Sequence, residues 1–306
     1  SACSYVDAPV HPRPALALPD AVLQRFELPG PVELLALDRL GDGSALSGDL
    51  GCGPETVHFT LHLTSEPTAP LVLLVPILGG GDELLRTMAR RFVERGYHAV
   101  HCARVGSALR PPQRGPDLEA MIVRTVIHQR AVLTWLESCR EVRPRAVFAC
   151  GASMGGIVTT LLAAVEPRLS GAAMCLAGAD LPAILADSTE PRVVRWREWR
   201  RDADGIAGAP LEQELRANLR SDPLRFAAYV PTDRVFLVCA TLDDVVRKSH
   251  QDLLWEALGR PQRVSVPLGH YTTALALDPL LGSIADFFDA RQQSLAPALA
   301  APPAGH

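Results

Sequence analysis

The chain has 306 residues, 48% of them apolar and 21% charged, with a formal net charge of −4. That length buries a sizeable core, and α/β folds of this size are often one domain. Mild acidity without a basic cluster argues against nucleic acid as a partner, and apolar runs such as Leu71–Val75 are strand-sized, too short to span a bilayer.

The first twenty residues, with Pro9, Pro12, Pro14 and Pro19, read as an extended leader. Ser1-Ala2-Cys3-Ser4 resembles the end of a bacterial lipoprotein signal, after which Cys3 would carry the lipid. Two readings stay open: a lipid anchor at Cys3 facing the envelope, or an ordinary N-terminus on a cytoplasmic protein. Three β-like stretches follow, Ala21–Leu28, Val32–Leu37 and Thr56–Leu63. In the last, Val57, Phe59, Leu61 and Leu63 alternate with polar residues, the period of a half-buried antiparallel strand. His58 and His62 share its polar face and, without a third ligand nearby, read as solvated side chains.

From residue 71 strands alternate with helices. Leu71–Val75, Tyr97–Cys102, Arg145–Cys150, Gly171–Ala177, Val235–Ala240 and Arg263–Val266 read as strands. Helical spacing appears at Leu85, Met88, Ala89 and Phe92, then from Leu118 to Leu136 and over Met154–Val165. It returns after Asp278-Pro279. Fully apolar strands between amphipathic helices imply a mostly parallel α/β sheet with helices on both faces. The antiparallel N-terminal strands fit one edge. Residues 181–231 break the alternation and read as an inserted helical cap between core segments 21–180 and 232–291. There Leu211, Leu215 and Leu219 step by four, and the Arg195–Arg201 segment reads as a helix burying two tryptophans behind a solvated charged face. Residues 292–306, rich in Ala and Pro, read as a disordered tail.

Of seven cysteines, Cys102, Cys150, Cys175 and Cys239 fall at or near strand ends, as free buried thiols would. Cys52 and Cys139 are linked or free.

The chemistry concentrates at Gly151-Ala152-Ser153-Met154-Gly155, a Gly-x-Ser-x-Gly motif between an apolar strand and a helix. Such a tight turn needs small residues and lifts the serine above the sheet. No Lys-Ser/Thr follows to serve a phosphate. Serine needs an adjacent base. Of nine histidines, His270 alone lies just beyond a late strand and after Ser153 with a candidate acid between. Asp243 is the first choice for that acid, with Asp244 and Asp180 as alternatives. For an oxyanion, one N–H would come from Met154 and another from the Pro76–Asp82 loop with its Gly79-Gly80-Gly81 run.

These residues resemble the α/β-hydrolase superfamily over about residues 55–290, in its esterase/lipase-like branch. Gly151, Ser153, Gly155, Asp243 and His270 match position by position, whereas Pro76-Ile77 stands where relatives commonly have His-Gly, which makes Leu78 the choice of amide donor. The resemblance implies a serine carboxylic-ester hydrolase acting on a small-molecule ester. Ser153 would be the nucleophile, His270 the base, Asp243 the orienter and the Leu78 and Met154 amides the oxyanion hole. It implies no metal and no organic cofactor. The same triad would serve a thioesterase, acyltransferase or peptidase, and a non-catalytic scaffold that binds a ligand is the reading from another class.

Overall fold

A computed structural model describes residues 5–7, 13–78, 82–103, 105–106 and 109–300. Cys3 and the Gly79-Gly80-Gly81 run lie outside them. Strands are β1 Tyr5–Asp7, β2 Val32–Leu40, β3 Ala45–Cys52, β4 Glu55–His62, β5 Leu71–Val75, β6 His98–Cys102, β7 Val147–Ala152, β8 Leu169–Cys175, β9 Val235–Ala240 and β10 Gln262–Val266. They form one sheet in the order β1-β10-β9-β8-β7-β5-β6-β4-β3-β2. From β10 to β6 neighbours run parallel, while β4, β3 and β2 are antiparallel at one edge and β1 is antiparallel at the other.

β5 shows why the sheet is covered on both faces. All five of its residues are buried. Leu71, Leu73 and Val75 face the larger of two apolar clusters, and Val72 and Leu74 face the smaller. The smaller cluster is closed by α2 (Asp82–Glu94) through Met88 and Phe92, and by the C-terminal helix through Ile284 and Phe288. The larger is closed by α3 (Gly115–Ser138) and α4 (Met154–Val165). On β4, Val57, Phe59 and Leu61 are buried and alternate with outward residues, as the period-2 pattern requires.

Between β8 and β9 the chain forms α5 (Leu181–Asp187), α6 (Pro191–Asp204), α7 (Ala209–Asn218) and α8 (Pro223–Phe226). Leu211, Leu215 and Leu219 are each at most 1% exposed and join the larger cluster. Each contributes roughly 1.5–3 kcal/mol relative to exposure. Trp196 is buried, its indole N–H donating to Gln113 O at 2.8 Å, whereas Trp199 is half-buried. The charged face is not wholly solvated: Arg200 is buried and bonded to Asp204 and Glu214 at 2.6 Å each. After β9 come α9 (Lys248–Ala257) and α10 (Leu277–Ala300).

Several expectations are corrected. Ala21–Leu28 is not a strand: Asp20–Leu23 is helical (α1) and Gln24–Phe26 continues as a 3-10 turn. Pro19 precedes that helix in extended conformation, a start its fixed φ favours. Within the leader, β1 pairs with β10 and Asp7 accepts from Arg263 at 2.5 Å, while residues 1–4 and 8–12 lie outside the described residues. β3 was not anticipated, because Gly48 and Gly51 break its apolar pattern. A Cβ on Gly48 would lie 2.6 Å from the Phe59 ring, so that strand needs glycine for close packing. The tail is helical as far as Ala300, since α10 runs through Gln292 without a break. His58 is exposed and bonded to Asp49, but His62 is half-buried and stacks on His101 at 5.6 Å. Cys52, Cys102, Cys139, Cys150, Cys175 and Cys239 are all free thiols. No helix of the described residues is long and apolar enough to cross a membrane.

Candidate active site

Parallel strands point their C-terminal ends at one rim of the sheet, and the chemistry-bearing residues follow β7, β9 and β10 there. β7 turns into α4 at Ser153, which holds φ 55° and ψ −124°. A non-glycine residue in that region is strained, and the surroundings hold it there. A Cβ on Gly151 would sit 2.3 Å from Gly155 O, and one on Gly155 would sit 2.4 Å from Val75 O. The turn therefore accepts only glycine at both flanking positions. The Ser153 N–H donates to Cys175 O at 2.8 Å, which fixes the turn against β8.

The loop after β10 brings in His270. Gly269 N–H donates to Thr272 Oγ1 at 2.9 Å and Thr273 O–H donates to Gly269 O at 2.8 Å, so the loop is pinned on both sides of the ring. His270 Nε2 lies 3.0 Å from Ser153 Oγ and Nδ1 lies 2.7 Å from Asp243 Oδ2. With the proton on Nδ1, the ring donates to Asp243 and accepts from the serine hydroxyl. Two backbone bonds tie the β9 loop to the β10 loop, Thr241 N–H to Val266 O at 2.9 Å and Leu242 N–H to Leu268 O at 3.1 Å.

Asp243 is held by more than the histidine. Its Oδ1 accepts from the N–H groups of Val245 at 2.9 Å and Val246 at 2.8 Å. Its side chain is fully buried, and that of His270 nearly so. Asp244 points outward and is exposed. Asp180 caps α5 and pairs with Arg216 at 2.9 Å. Of the three candidate acids, Asp243 is the one that bonds to His270. Gln251 was missed by sequence reasoning. It is fully buried on α9, accepts from Ala240 N–H at 3.0 Å, donates to Val246 O at 2.7 Å, and reaches Asp243 Oδ2 at 3.3 Å. A lone glutamine in a charged amphipathic helix gives no signal of such a role.

Met154 opens α4 and is buried, its N–H among those of the first turn that have no partner within the helix. Leu78, Ile77 and Ser153 border one cavity of about 490 Å³. Its outer wall includes Tyr271 and the start of α6, at Glu190, Pro191 and Arg195. The 181–231 segment thus reaches the cavity chiefly through the first turns of α6, and most of the remaining wall belongs to α2, α10 and the strand ends. Among the described residues, no group of three His, Cys, Asp or Glu is placed to hold a metal. The arrangement has a serine hydroxyl bonded to a base, a carboxylate behind that base and a helix N-terminus beside the serine, the parts of an acyl-transfer site.

One family and several solved structures are similar to this chain. The dienelactone hydrolase family matches residues 59–190. No curated protein sequence matches the chain. Among solved structures, acetyl xylan esterase 1 from Thermoanaerobacterium sp. JW/SL YS485 is similar with TM-score 0.61 at 16% identity, over 86% of this chain and 91% of that one. The acetyl xylan esterase from Paenibacillus sp. R4 is similar at TM-score 0.59 and 15% identity, over 86% and 91%. Est1E from Butyrivibrio proteoclasticus is similar at TM-score 0.57 and 12% identity, over 79% and 99%. At these identities the likeness is one of fold.

Proposed function

We propose that this chain, a member of the α/β-hydrolase superfamily, is a serine carboxylic-ester hydrolase that works through an acyl-enzyme on Ser153. The dienelactone hydrolase match and the esterase folds support ester hydrolysis in general. The finer reading is carried by the two linked hydrogen bonds, Ser153 to His270 at 3.0 Å and His270 to Asp243 at 2.7 Å, at the wall of a 490 Å³ cavity.

Ser153 Oγ attacks the acyl carbon as His270 Nε2 takes its proton. The imidazolium then gives that proton to the leaving alcohol, and the ester C–O bond breaks. Asp243 keeps the proton on Nδ1 and stabilises the imidazolium. Its Oδ1 accepts from the Val245 and Val246 N–H groups, which fixes its orientation and leaves Oδ2 facing His270. The tetrahedral oxyanion is held by the Met154 and Leu78 amides. The Ser153 amide is committed to Cys175, and the positive end of α4 favours negative charge at that point. Water then attacks the acyl carbon as His270 takes its proton, and His270 returns that proton to Ser153 Oγ as the acyl C–Oγ bond breaks and the acid leaves. The α5–α8 segment serves as a cap that borders the mouth through α6. The test is a pre-steady-state assay with a short-chain p-nitrophenyl ester on wild type and Ser153→Ala, together with fluorophosphonate labelling. A burst and labelling confined to the protein with Ser153 support this reading, and their absence refutes it.

A further inference from the structure

The cavity has two ends of different character. Tyr271, Pro191 and Arg195 at the outer end are exposed. Met88, Val238, Leu280, Leu281 and Ile284 at the inner end are all buried, and with the half-buried Leu84 they carry no polar atom besides the Met88 thioether. All six belong to or pack against the smaller apolar cluster, between the sheet, α2 and α10. A concavity of this kind forfeits dispersion contacts along its lining, which close-packed interiors avoid. The side of the serine on which each half of an ester lies follows from proton transfer. His270 Nε2 must reach the leaving oxygen, so the alcohol half lies on the side of His270 and Tyr271, toward the exposed mouth. The acyl half then lies away from that mouth, and the apolar end lined by α2 and α10 is the part of the cavity left for it.

We infer that the inner end is an acyl chamber for an unbranched medium-length fatty acyl group, and that Leu84, Met88, Leu280 and Ile284 set its length. The inference rests on the ester-hydrolase reading and names its substrate class. The volume sets the scale. A methylene takes up about as much room as a water molecule, ~30 Å³, so an eight-carbon acyl group fills roughly 240 Å³ of the 490 Å³. The other half is left for the alcohol. An acetyl group would leave most of that volume unfilled.

The experiment is a series of p-nitrophenyl esters from acetate to laurate on wild type, Leu84→Trp and Met88→Phe, each variant checked for folding by circular dichroism. Each buried methylene multiplies kcat/KM by about 4 at most; somewhat under half of that free energy, realised over the six extra methylenes of octanoate, gives an expected wild-type octanoate-to-acetate ratio above about 30, with the optimum between hexanoate and decanoate. Either folded variant lowers that ratio by about 10-fold or more. A wild-type optimum at acetate overturns the inference by itself. A ratio within about 3-fold of wild type in both folded variants also overturns it. Should no ester be turned over and Ser153 not react with a fluorophosphonate, the hydrolase reading fails instead. The chamber is then read by calorimetric titration of Ser153→Ala with sodium octanoate: saturable binding that weakens on adding Leu84→Trp supports it, and no binding refutes it.

Discussion

The Gln251 side-chain amide lies 3.3 Å from Asp243 Oδ2 while it also donates to Val246 O at 2.7 Å. Gln251 therefore braces both the carboxylate and the turn that supplies the Asp243 N–H partners. Because it accepts from the buried Ala240 N–H and donates to Val246 O, Gln251→Leu strands that donor and that carbonyl. The expected cost is about 2–4 kcal/mol of stability, since each buried unsatisfied group costs roughly 1–3 kcal/mol. Gln251 is a positioning residue, so kcat is expected to fall about 10-fold or more with KM within about 3-fold. Urea unfolding and steady-state kinetics on the same preparation check this. An unchanged kcat in a destabilised protein would reduce Gln251 to a packing role.

Asp243 and its neighbour separate cleanly by burial. Asp243→Asn keeps the shape but presents an amide to His270 Nδ1, which favours the wrong tautomer. Turnover is expected to fall on the order of 10³–10⁴-fold, as in serine-protease triads. Asp244→Asn, at an exposed side chain, is expected to stay within about 3-fold of wild type. Equal losses in the two variants would mean that the acid has been misassigned.

Stability should fall in acid in two stages. Burial pushes the imidazoles of His62, His98 and His128 below the usual histidine range. The folded protein therefore binds fewer protons there than the unfolded chain, whose histidines titrate near ~6.5. Stability is full above that pH and declines as the pH falls through it. Glu166 supplies the second stage. Its burial opposes ionisation, but bonds from Arg168 at 2.6 and 2.7 Å and Arg130 at 3.2 Å outweigh this and hold the carboxyl below its ordinary value. Its contribution is present above the unfolded carboxyl pKa of ~4.3 and is lost below it. Calorimetric Tm is expected to drop by several degrees between pH 7.5 and 5.5, and again below about pH 4.5. A flat profile from pH 7.5 to 5 would contradict the first stage.

The sheet centre and the positions of Ser153 and His270 were legible in the sequence where one signal sufficed. β9 and α4 have the bounds that apolarity and the glycine turn imply, and Ser153 and His270 stand at strand ends where the order of motifs puts them. The misses share a cause: the deciding contact is remote in sequence. β3 is a strand because Gly48 lies beneath Phe59, although its own glycines read as loop. β1 is a strand because β10 offers it an edge, with Asp7 on Arg263. The choice between Asp243 and Asp244 is one of side-chain direction after a turn, which residue order cannot carry. Cavity walls carry no signal of their own, since Met88 and Ile284 come from helices whose spacing signals core packing alone. A pocket wall and a core face have the same apolar periodicity.

An acyl-enzyme on Ser153 shows itself in the stoichiometry of its burst. Stopped-flow mixing of the protein with excess p-nitrophenyl hexanoate should release about one equivalent of p-nitrophenol per chain before the steady state, provided deacylation is the slower step. Intact-mass spectrometry of the quenched sample should show the hexanoyl group on the peptide containing Ser153, and Ser153→Ala should show neither signal. Burst and adduct persisting in Ser153→Ala, or turnover in wild type with no trapped or fluorophosphonate adduct on Ser153, would contradict the account.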